Sequence, residues 1–165
     1  MAANFSELLP LLLRHEVHFI VVGGGAAIAH GSARLTSDVD VLYARDPENI
    51  HNLAVALQGH QPYLRGAPPG LPFRWDEETI KAGLNFTLTT RAGDLDLLGE
   101  ITGAGSYEAL LPFSEELEVF GVRCRFVTLE GLIQLKRAAG RPKDLEIIAE
   151  LQALLEERQR RGGSN

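Results

Sequence analysis

Two aspartates separated by one residue, Asp38 and Asp40, are the side chains of this sequence whose type and spacing point most directly to chemistry. They stand at the start of an apolar segment, residues 39–43, that has the composition of a buried β-strand. Side chains two apart on a strand share one face and lie about 7 Å apart along it. Because neighbouring carboxylates repel, keeping both ionised costs free energy. A bound divalent cation would remove that cost, so the pair is a candidate metal site.

The segment before this pair is a short apolar run that ends in three glycines. Residues 19–22 are rich in β-branched side chains, as expected of a strand buried on both faces. The glycines at 23–25 allow the backbone to turn sharply and to approach another group closely. The small residues at 26–29 suit a short helix packed tightly on a sheet. The sequence therefore predicts strand, turn, helix and strand, with the two aspartates at the mouth of the second strand.

Length and composition are those of an ordinary globular protein. The chain has 165 residues, of which 45% are hydrophobic and 23% charged, so we expect one domain over residues 1–161. The final residues, 162–165, are expected to form a disordered tail. The net charge of −6 argues against broad, non-specific binding of nucleic acid, although a local basic patch is still compatible with it.

Cysteine usage and the amino-terminal residues predict the compartment. The single cysteine, Cys124, excludes an intramolecular disulfide framework and fits a reducing cytosol, and its place in a predicted strand suggests an inert side chain. No basic region precedes the early leucine run, which is also too short and too interrupted to span a membrane. We therefore expect a cytoplasmic protein without a membrane partner.

Hydrophobic periodicity and turn residues predict a mixed sheet with helices packed on it, an α/β (α+β) fold. Residues 58–72 are rich in glycine and proline and are expected to form one long loop of the functional or mobile kind. Residues 91–94 are a candidate hairpin turn. Helices are expected over 4–15, 26–29, 46–57, 76–82, 107–111, 128–139 and 142–160, and strands over 19–22, 39–43, 86–90, 95–98, 117–120 and 122–126.

The residues around the first two strands also resemble a known family. The pattern consists of Gly23-Gly24, Ala27, His30-Gly31, Arg34, Thr36 and Asp38-Val39-Asp40. It is similar to the nucleotidyltransferase fold of the DNA polymerase beta superfamily, and in detail to its small bacterial branch. That branch includes nucleotidyltransferase-type toxins of toxin–antitoxin and abortive-infection systems.

The resemblance implies an activity and its partners. The protein would bind a nucleoside triphosphate with Mg²⁺ or Mn²⁺ and transfer a nucleotidyl group to an acceptor hydroxyl, with loss of pyrophosphate. The acceptor would be an RNA, a protein or a small molecule. A toxin-like member would also have a cognate antitoxin-like partner.

The resemblance further implies a set of three catalytic, metal-binding carboxylates. Asp38 and Asp40 are two of them, and the superfamily usually adds a third from a neighbouring strand. We favour Asp96, because it is flanked by apolar residues where an unpaired carboxylate would be costly. Asp94 is the alternative, but its place beside the turn residue Gly93 already gives it a structural role.

Gly23 and Gly24 resemble the family's turn that holds the nucleotide phosphates at a helix N-terminus. Many members have a serine in this turn, so here a hydroxyl contact to phosphate would fall to Ser32, Thr36 or Ser37. A tight structural turn is the alternative. The spacing does not suit a dinucleotide-binding fingerprint.

Arg34 precedes the aspartate pair by four residues and would bind a phosphate or lie on the surface. His30 is expected to be a packed residue at a helix end rather than a base. Trp75 would stack on a base or fill a local part of the core.

A second resemblance covers residues 129–144, where a lysine followed by Gly-Arg-Pro-Lys-Asp completes the active site of toxin-like members. Spacing supports it independently, because Lys136 and Asp144 each share the apolar stripe of a predicted helix. The stripes are formed by Leu129, Leu132 and Ile133 for the lysine, and by Ile148, Leu151 and Leu155 for the aspartate. We therefore expect a charged, nucleotide-binding pocket between these helices. The alternatives are a lysine that reaches water and an aspartate that stabilises a helix N-terminus.

Two other functions are consistent with the sequence. One is a catalytically idle nucleotidyltransferase-fold module that binds a partner protein, and the other is a nucleotide sensor without turnover. The intact Asp-x-Asp pair favours the enzyme, whereas the all-glycine turn and the acidic composition favour the two alternatives.

Overall fold

Seven strands form one mixed sheet in the part of the chain that the computed structural model describes, residues 3–162. The order of the strands across the sheet is β3-β4-β5-β2-β1-β7-β6. The β2–β5 and β1–β7 pairs are parallel and the other pairs are antiparallel. The strands are β1 (Phe19–Val22), β2 (Val39–Tyr43), β3 (Tyr63–Leu64), β4 (Phe86–Thr90), β5 (Gly93–Leu98), β6 (Ser114–Val119) and β7 (Val122–Val127).

Helices pack on this sheet and confirm the expected α/β (α+β) class. The α-helices are α1 (Phe5–Arg14), α2 (Gly23–Ala29), α3 (Pro47–Gln58), α4 (Glu77–Ala82), α5 (Tyr107–Leu110), α6 (Leu129–Ala139) and α7 (Leu145–Gly162). Two 3₁₀ turns, Leu111–Phe113 and Pro142–Asp144, directly precede β6 and α7. None of the helices within residues 3–162 is both long and apolar enough to cross a membrane.

The central strands β1 and β2 set the geometry of the sheet. All four side chains of β1 are buried, and β2 is buried except at Asp40. Such strands are held in one register because a slip would move apolar side chains to the wrong face. In this register Val22 lies opposite Asp40, and Asp40 lies opposite Asp96 of β5. The core of the protein therefore fixes the distance between carboxylates on two strands.

Helix α1 covers the sheet at the glycine-rich connection after β1. Leu8, Leu9 and Leu12 are fully buried. The Phe5 ring stacks on Phe120, with ring centroids 4.3 Å apart. A Cβ atom on Gly25 would lie 2.6 Å from the Phe5 ring, so this helix requires glycine at the point where α2 passes beneath it.

Several boundaries differ from the predicted ones. The glycines at 23–25, expected to form a turn before the helix, already belong to α2, and β6 begins at Ser114 rather than at residue 117. Three further differences concern β3, β5 and the last helix. The expected loop over 58–72 contains the edge strand β3, which pairs with β4 and is hidden in the sequence by flanking proline and glycine. Strand β5 begins at Gly93, so Asp94 lies in the strand and not only in the turn. The last helix begins with a 3₁₀ turn and continues to Gly162, and the remainder of the expected tail lies outside the described residues.

Thr128 provides a test of how the carboxyl-terminal helices are anchored. Its Oγ1 accepts a hydrogen bond from the Gly131 N–H at 3.1 Å and so caps α6, as predicted. Replacing Thr128 with alanine should lower the free energy of unfolding by about 1 kcal/mol, whereas Thr128→Ser keeps the hydroxyl and should lose much less. Denaturant unfolding of both variants measures the difference. Equal losses would show that the cap does not stabilise the helix.

Candidate metal centre

Asp38, Asp40 and Asp96 converge at one end of the central strands. Asp38 directly precedes β2, Asp40 lies within it, and Asp96 lies opposite Asp40 on the parallel strand β5. One carboxylate oxygen from each residue lies within 4.8 Å of the other two, and all three residues are half-buried. This cluster, named the carboxylate triad below, joins the two aspartates of the Asp-x-Asp pair with the favoured third carboxylate.

The triad concentrates negative charge in a poorly hydrated place. Burial, followed by the negative charges of Asp38 and Asp96, raises the pKa of Asp40 from 3.8 to about 8. Burial also raises the pKa of Asp96, together with a hydrogen bond to Asp38. The Oδ1 atom of Asp40 is buried without a hydrogen-bond partner. A buried acceptor without a donor, in a set made only of carboxylates, fits a hard divalent cation such as Mg²⁺ or Mn²⁺.

The glycine-rich first turn of helix α2, which directly follows β1, lies against Asp40. Gly23 has a φ of +63°, which side-chain-bearing residues rarely adopt, and a Cβ atom there would overlap with Asp40 Oδ2. A Cβ atom on Gly24 would lie 2.7 Å from the side chain of Thr36. Glycine is therefore required at both positions for the turn to come this close to the triad and to the segment that precedes it.

A cavity of about 390 Å³ opens beside the triad. Gly23, Asp40, residues of α6 and the segment after β5 line it. Its polar lining includes Glu100 and Lys136, so negative and positive groups both face it. Its apolar lining includes Val22, Leu98, Ile101, Leu132, Leu135 and Ala139. A concave, largely apolar space with a few charged groups is the usual form of a small-molecule site.

Lys136 and Asp144 meet as the sequence pattern predicts. Lys136 Nζ lies 3.8 Å from Asp144 Oδ1, and Arg141 Nε donates a hydrogen bond to Asp144 Oδ2 at 2.8 Å. The Asp144 side chain is only 2% exposed, and the hydrogen bonds from Arg141 lower its pKa. A buried, ionised aspartate thus holds two cations, Lys136 and Arg141, at the wall of the cavity.

Two residues that the sequence assigned to nucleotide binding, Arg34 and Ser37, are not among the residues that line the cavity. Arg34 pairs with acidic residues of α7, since its Nε lies 2.7 Å from Glu150 Oε2 and its Nη2 lies 3.8 Å from Glu146 Oε2. These contacts tie the segment before β2 to the last helix. Ser37 is exposed immediately before Asp38. Their part in nucleotide binding stays a prediction.

Arg65 is a charged residue of the site that sequence reasoning missed. It follows the edge strand β3, and its side chain reaches Asp96, Asp94 and Asp38. The sequence signal was weak, because a lone arginine in a segment rich in proline and glycine shows neither periodicity nor a motif. Recognising β3 and its pairing with β4 would have placed this residue near β5.

Three other residues have the structural roles expected of them. His30 is buried, and its Nε2 lies 2.8 Å from the carbonyl oxygen of Val127. The ring of Trp75 packs edge-on against Phe86, with centroids 5.6 Å apart. Cys124 is buried, and burial raises the pKa of its thiol to about 12, so the reactive thiolate form is suppressed.

Solved structures similar to this one carry the same architecture. TM1012 from Thermotoga maritima, a proposed nucleotidyltransferase, aligns over 88% of this chain and 90% of its own, with 14% identity and a TM-score of 0.53. The lincosamide antibiotic adenylyltransferase LnuA, solved with lincomycin bound, aligns over 92% of this chain and 96% of its own, with 15% identity and a TM-score of 0.59.

These likenesses show the fold. The chain has the nucleotidyltransferase fold, which confirms the fold implied by its sequence resemblance. No protein-family model matches the sequence, and no curated protein sequence matches it. The toxin-like branch stays a prediction.

The raised pKa of Asp40 predicts how stability depends on pH in metal-free protein. The folded state keeps a proton at Asp40 that the unfolded chain releases near its ordinary pKa of 3.8. The free energy of unfolding should therefore fall as the pH rises from about 4 through the folded pKa of about 8. Asp40→Asn removes this loss, so the variant should gain stability relative to wild type as the pH rises.

Thermal melts in a chelating buffer at about pH 5 and about pH 9 measure this difference. Asp76→Asn is a suitable control, because it retains a capping side chain at the start of α4, away from the triad. If the difference in melting temperature between wild type and Asp40→Asn were the same at both pH values, the electrostatic description of the triad would be contradicted.

Proposed function

We propose that the protein is a divalent-cation-dependent nucleotidyltransferase, with Mg²⁺ or Mn²⁺ as the cation. It transfers a nucleotidyl group from a nucleoside triphosphate to an acceptor hydroxyl. The observation that carries this proposal is the convergence of Asp38, Asp40 and Asp96 in a nucleotidyltransferase fold. The oxygen of the acceptor hydroxyl forms a bond to the α-phosphorus and releases its proton to water. The bond from the α-phosphorus to the bridging oxygen breaks, and pyrophosphate leaves with that electron pair.

The carboxylate triad would hold the cation. When bound, the cation supplies positive charge that neutralises the phosphates as negative charge develops on the leaving group. The chain contributes oxygen ligands at fixed positions, since β2 and β5 are held in register by their buried side chains. At Asp40, Gly23 lies against Oδ2, and Oδ1 is buried without a hydrogen-bond partner and so is available to a cation.

Lys136 and Arg141 would bind the negatively charged phosphates within the cavity. Both line the same cavity as Gly23 and Asp40, and Asp144 fixes both of their side chains. Holding a cation in place before the substrate arrives lowers the entropic cost of binding it. The glycine turn allows the phosphates to approach the backbone at Gly23 and Gly24, where a larger residue would clash with Asp40 or Thr36.

The acceptor hydroxyl in this proposal belongs to an RNA, a protein or a small molecule. LnuA is named for the adenylylation of a lincosamide antibiotic, so small-molecule alcohols belong in the substrate screen. The resemblance to toxin-like members extends the proposal to an antitoxin-like partner, and a screen with the product of a neighbouring gene covers that case.

The triad provides the direct test of turnover. Asp38→Asn together with Asp40→Asn keeps side-chain size and removes two cation ligands, so transfer of label from a triphosphate should fall to background. The metal-free double variant should be at least as stable as wild type, because like-charge repulsion is removed. The assay supplies each of the four α-labelled triphosphates with RNA, protein extract and small-molecule alcohols.

Asp76→Asn serves as the matched control and should retain wild-type transfer. If wild type labels nothing with any acceptor, alone or with its gene neighbour, the transferase proposal fails. If the double variant labels as well as wild type does, the triad is not the catalytic site.

Lys136 provides a separate test of nucleotide binding. Lys136→Ala should weaken triphosphate binding by about 1–3 kcal/mol, the usual value of a hydrogen bond to a charged group. Folding stability should change little, because Asp144 keeps its hydrogen bonds to Arg141. Titration calorimetry measures the affinity, and Arg137→Ala, an exposed neighbour on the same helix, is the control. Normal affinity combined with a large loss of stability would show that the lysine is structural.

A further inference from the structure

Arg65 contacts two members of the carboxylate triad. Its Nη2 lies 2.8 Å from Asp96 Oδ1, and its Nη1 lies 3.6 Å from Asp38 Oδ2. The backbone of β4 helps to hold Arg65 there. Its side-chain Nη2 donates a hydrogen bond to the carbonyl oxygen of Leu88 at 2.8 Å, and its backbone N–H donates one to the carbonyl oxygen of Thr87 at 3.0 Å. The guanidinium therefore lies where two oxygens of the triad would otherwise be open to a cation.

Arg65 pairs with two of the three carboxylates of the triad, Asp38 and Asp96. No ion pair joins it to Asp40 among the described residues, and Asp40 Oδ1 has no hydrogen-bond partner. The cavity that holds Lys136 is lined by Asp40, whereas none of the three aspartates that Arg65 contacts is among its lining residues. One carboxylate of the triad thus lines the cavity, and the other two are paired with Arg65.

A carboxylate outside the triad provides Arg65 with an alternative partner. Its Nε lies 3.4 Å from Asp94 Oδ2, and the Arg65 side chain is 26% exposed. The Arg65 side chain is thus in contact with Asp94 and partly open to water, while its backbone N–H is paired with β4. On release from Asp38 and Asp96, Arg65 would retain both the contact with Asp94 and the backbone hydrogen bond to β4.

A divalent cation that enters alone must displace this guanidinium and remain close to its positive charge. Both effects weaken binding, because the cation takes oxygens already used in ion pairs and is repelled by a charge a few ångströms away. A cation that carries a triphosphate brings its own oxygen ligands and a net negative charge. It needs fewer oxygens from the triad, and Arg65 attracts it.

We propose that Arg65 is the resident counter-ion of the triad, and that it makes cation binding depend on the triphosphate. This inference rests on the proposed function, since it assigns the triad to a cation and a nucleotide. Arg65 is a positioning residue in this role. It keeps the carboxylates together before substrate binds and disfavours occupation by free cation.

The test compares Mn²⁺ binding in wild type and Arg65→Gln, with and without a non-hydrolysable ATP analogue that has a methylene bridge between the α and β phosphates. Electron paramagnetic resonance of free Mn²⁺ gives the dissociation constants. Arg65→Gln should bind Mn²⁺ alone about tenfold more tightly, since it removes a charge-assisted contact to the ligands. The tightening of Mn²⁺ binding by the analogue should shrink by a similar factor.

Two further variants separate charge from general disturbance. Arg65→Lys keeps the positive charge without the planar contacts, so its Mn²⁺ affinity should lie between those of wild type and Arg65→Gln. Arg123→Gln removes an exposed arginine that pairs with Glu116 on β6. It should leave the Mn²⁺ dissociation constants with and without the analogue unchanged.

Equal Mn²⁺ affinities in wild type and Arg65→Gln, or weaker binding by the variant, would overturn the role of Arg65 and leave the proposed function standing. Absence of Mn²⁺ binding in every variant, with and without the analogue, would overturn the proposed function as well. The two failures are therefore distinguishable in one set of titrations.

Discussion

The repulsion among three carboxylates is the constraint around which this structure is organised. Asp38, Asp40 and Asp96 would separate if their backbones were free to move. The parallel pairing of β2 with β5 prevents this, because the register that buries Val39 and Val41 also sets Asp40 opposite Asp96. The apolar core thus holds together charges that repel, as is common where a protein stores electrostatic strain for binding.

The residues around the triad accommodate or balance its negative charge in different ways. Gly23 presents backbone without a side chain, so Asp40 keeps its position close to the turn. Arg65, which follows the edge strand β3, pairs with Asp38 and Asp96, and Lys136 lines the same cavity as Asp40. Asp144 is buried between Lys136 and Arg141 and keeps both cations at the cavity wall. The result is a negative centre with positive charge on Arg65 beside it and on Lys136 and Arg141 in the adjoining cavity, an arrangement suited to a cation and a polyphosphate together.

Local patterns in the sequence predict much of this arrangement. The alternation of side chains on a strand places Asp38 and Asp40 on one face, and helical spacing brings Lys136 toward Asp144. Capping residues such as Thr128 mark where helices begin. These features depend on neighbours a few residues apart, whose geometry is set by the backbone itself.

Features that depend on strand order are harder to read from one sequence. The preference for Asp96 over Asp94 rested on local polarity, whereas its contact with Asp40 results from β5 pairing with β2. The sequence does not predict a role for Arg65, because the strand before it, β3, is only two residues long and lies between Pro62 and Gly66. A short edge strand shows little hydrophobic periodicity. Nothing in the sequence therefore places Arg65 near the triad until the pairing of β3 with β4 is known.

The measurement that tests the central claim most directly is anomalous diffraction from crystals grown with Mn²⁺ and the methylene-bridged ATP analogue. We expect one strong manganese peak about 2–2.3 Å from a carboxylate oxygen of each of Asp38, Asp40 and Asp96, with further oxygens supplied by phosphate and water. The triphosphate should extend into the cavity toward Lys136. Manganese bound elsewhere, or a triad with no peak and the nucleotide bound away from it, would contradict the account.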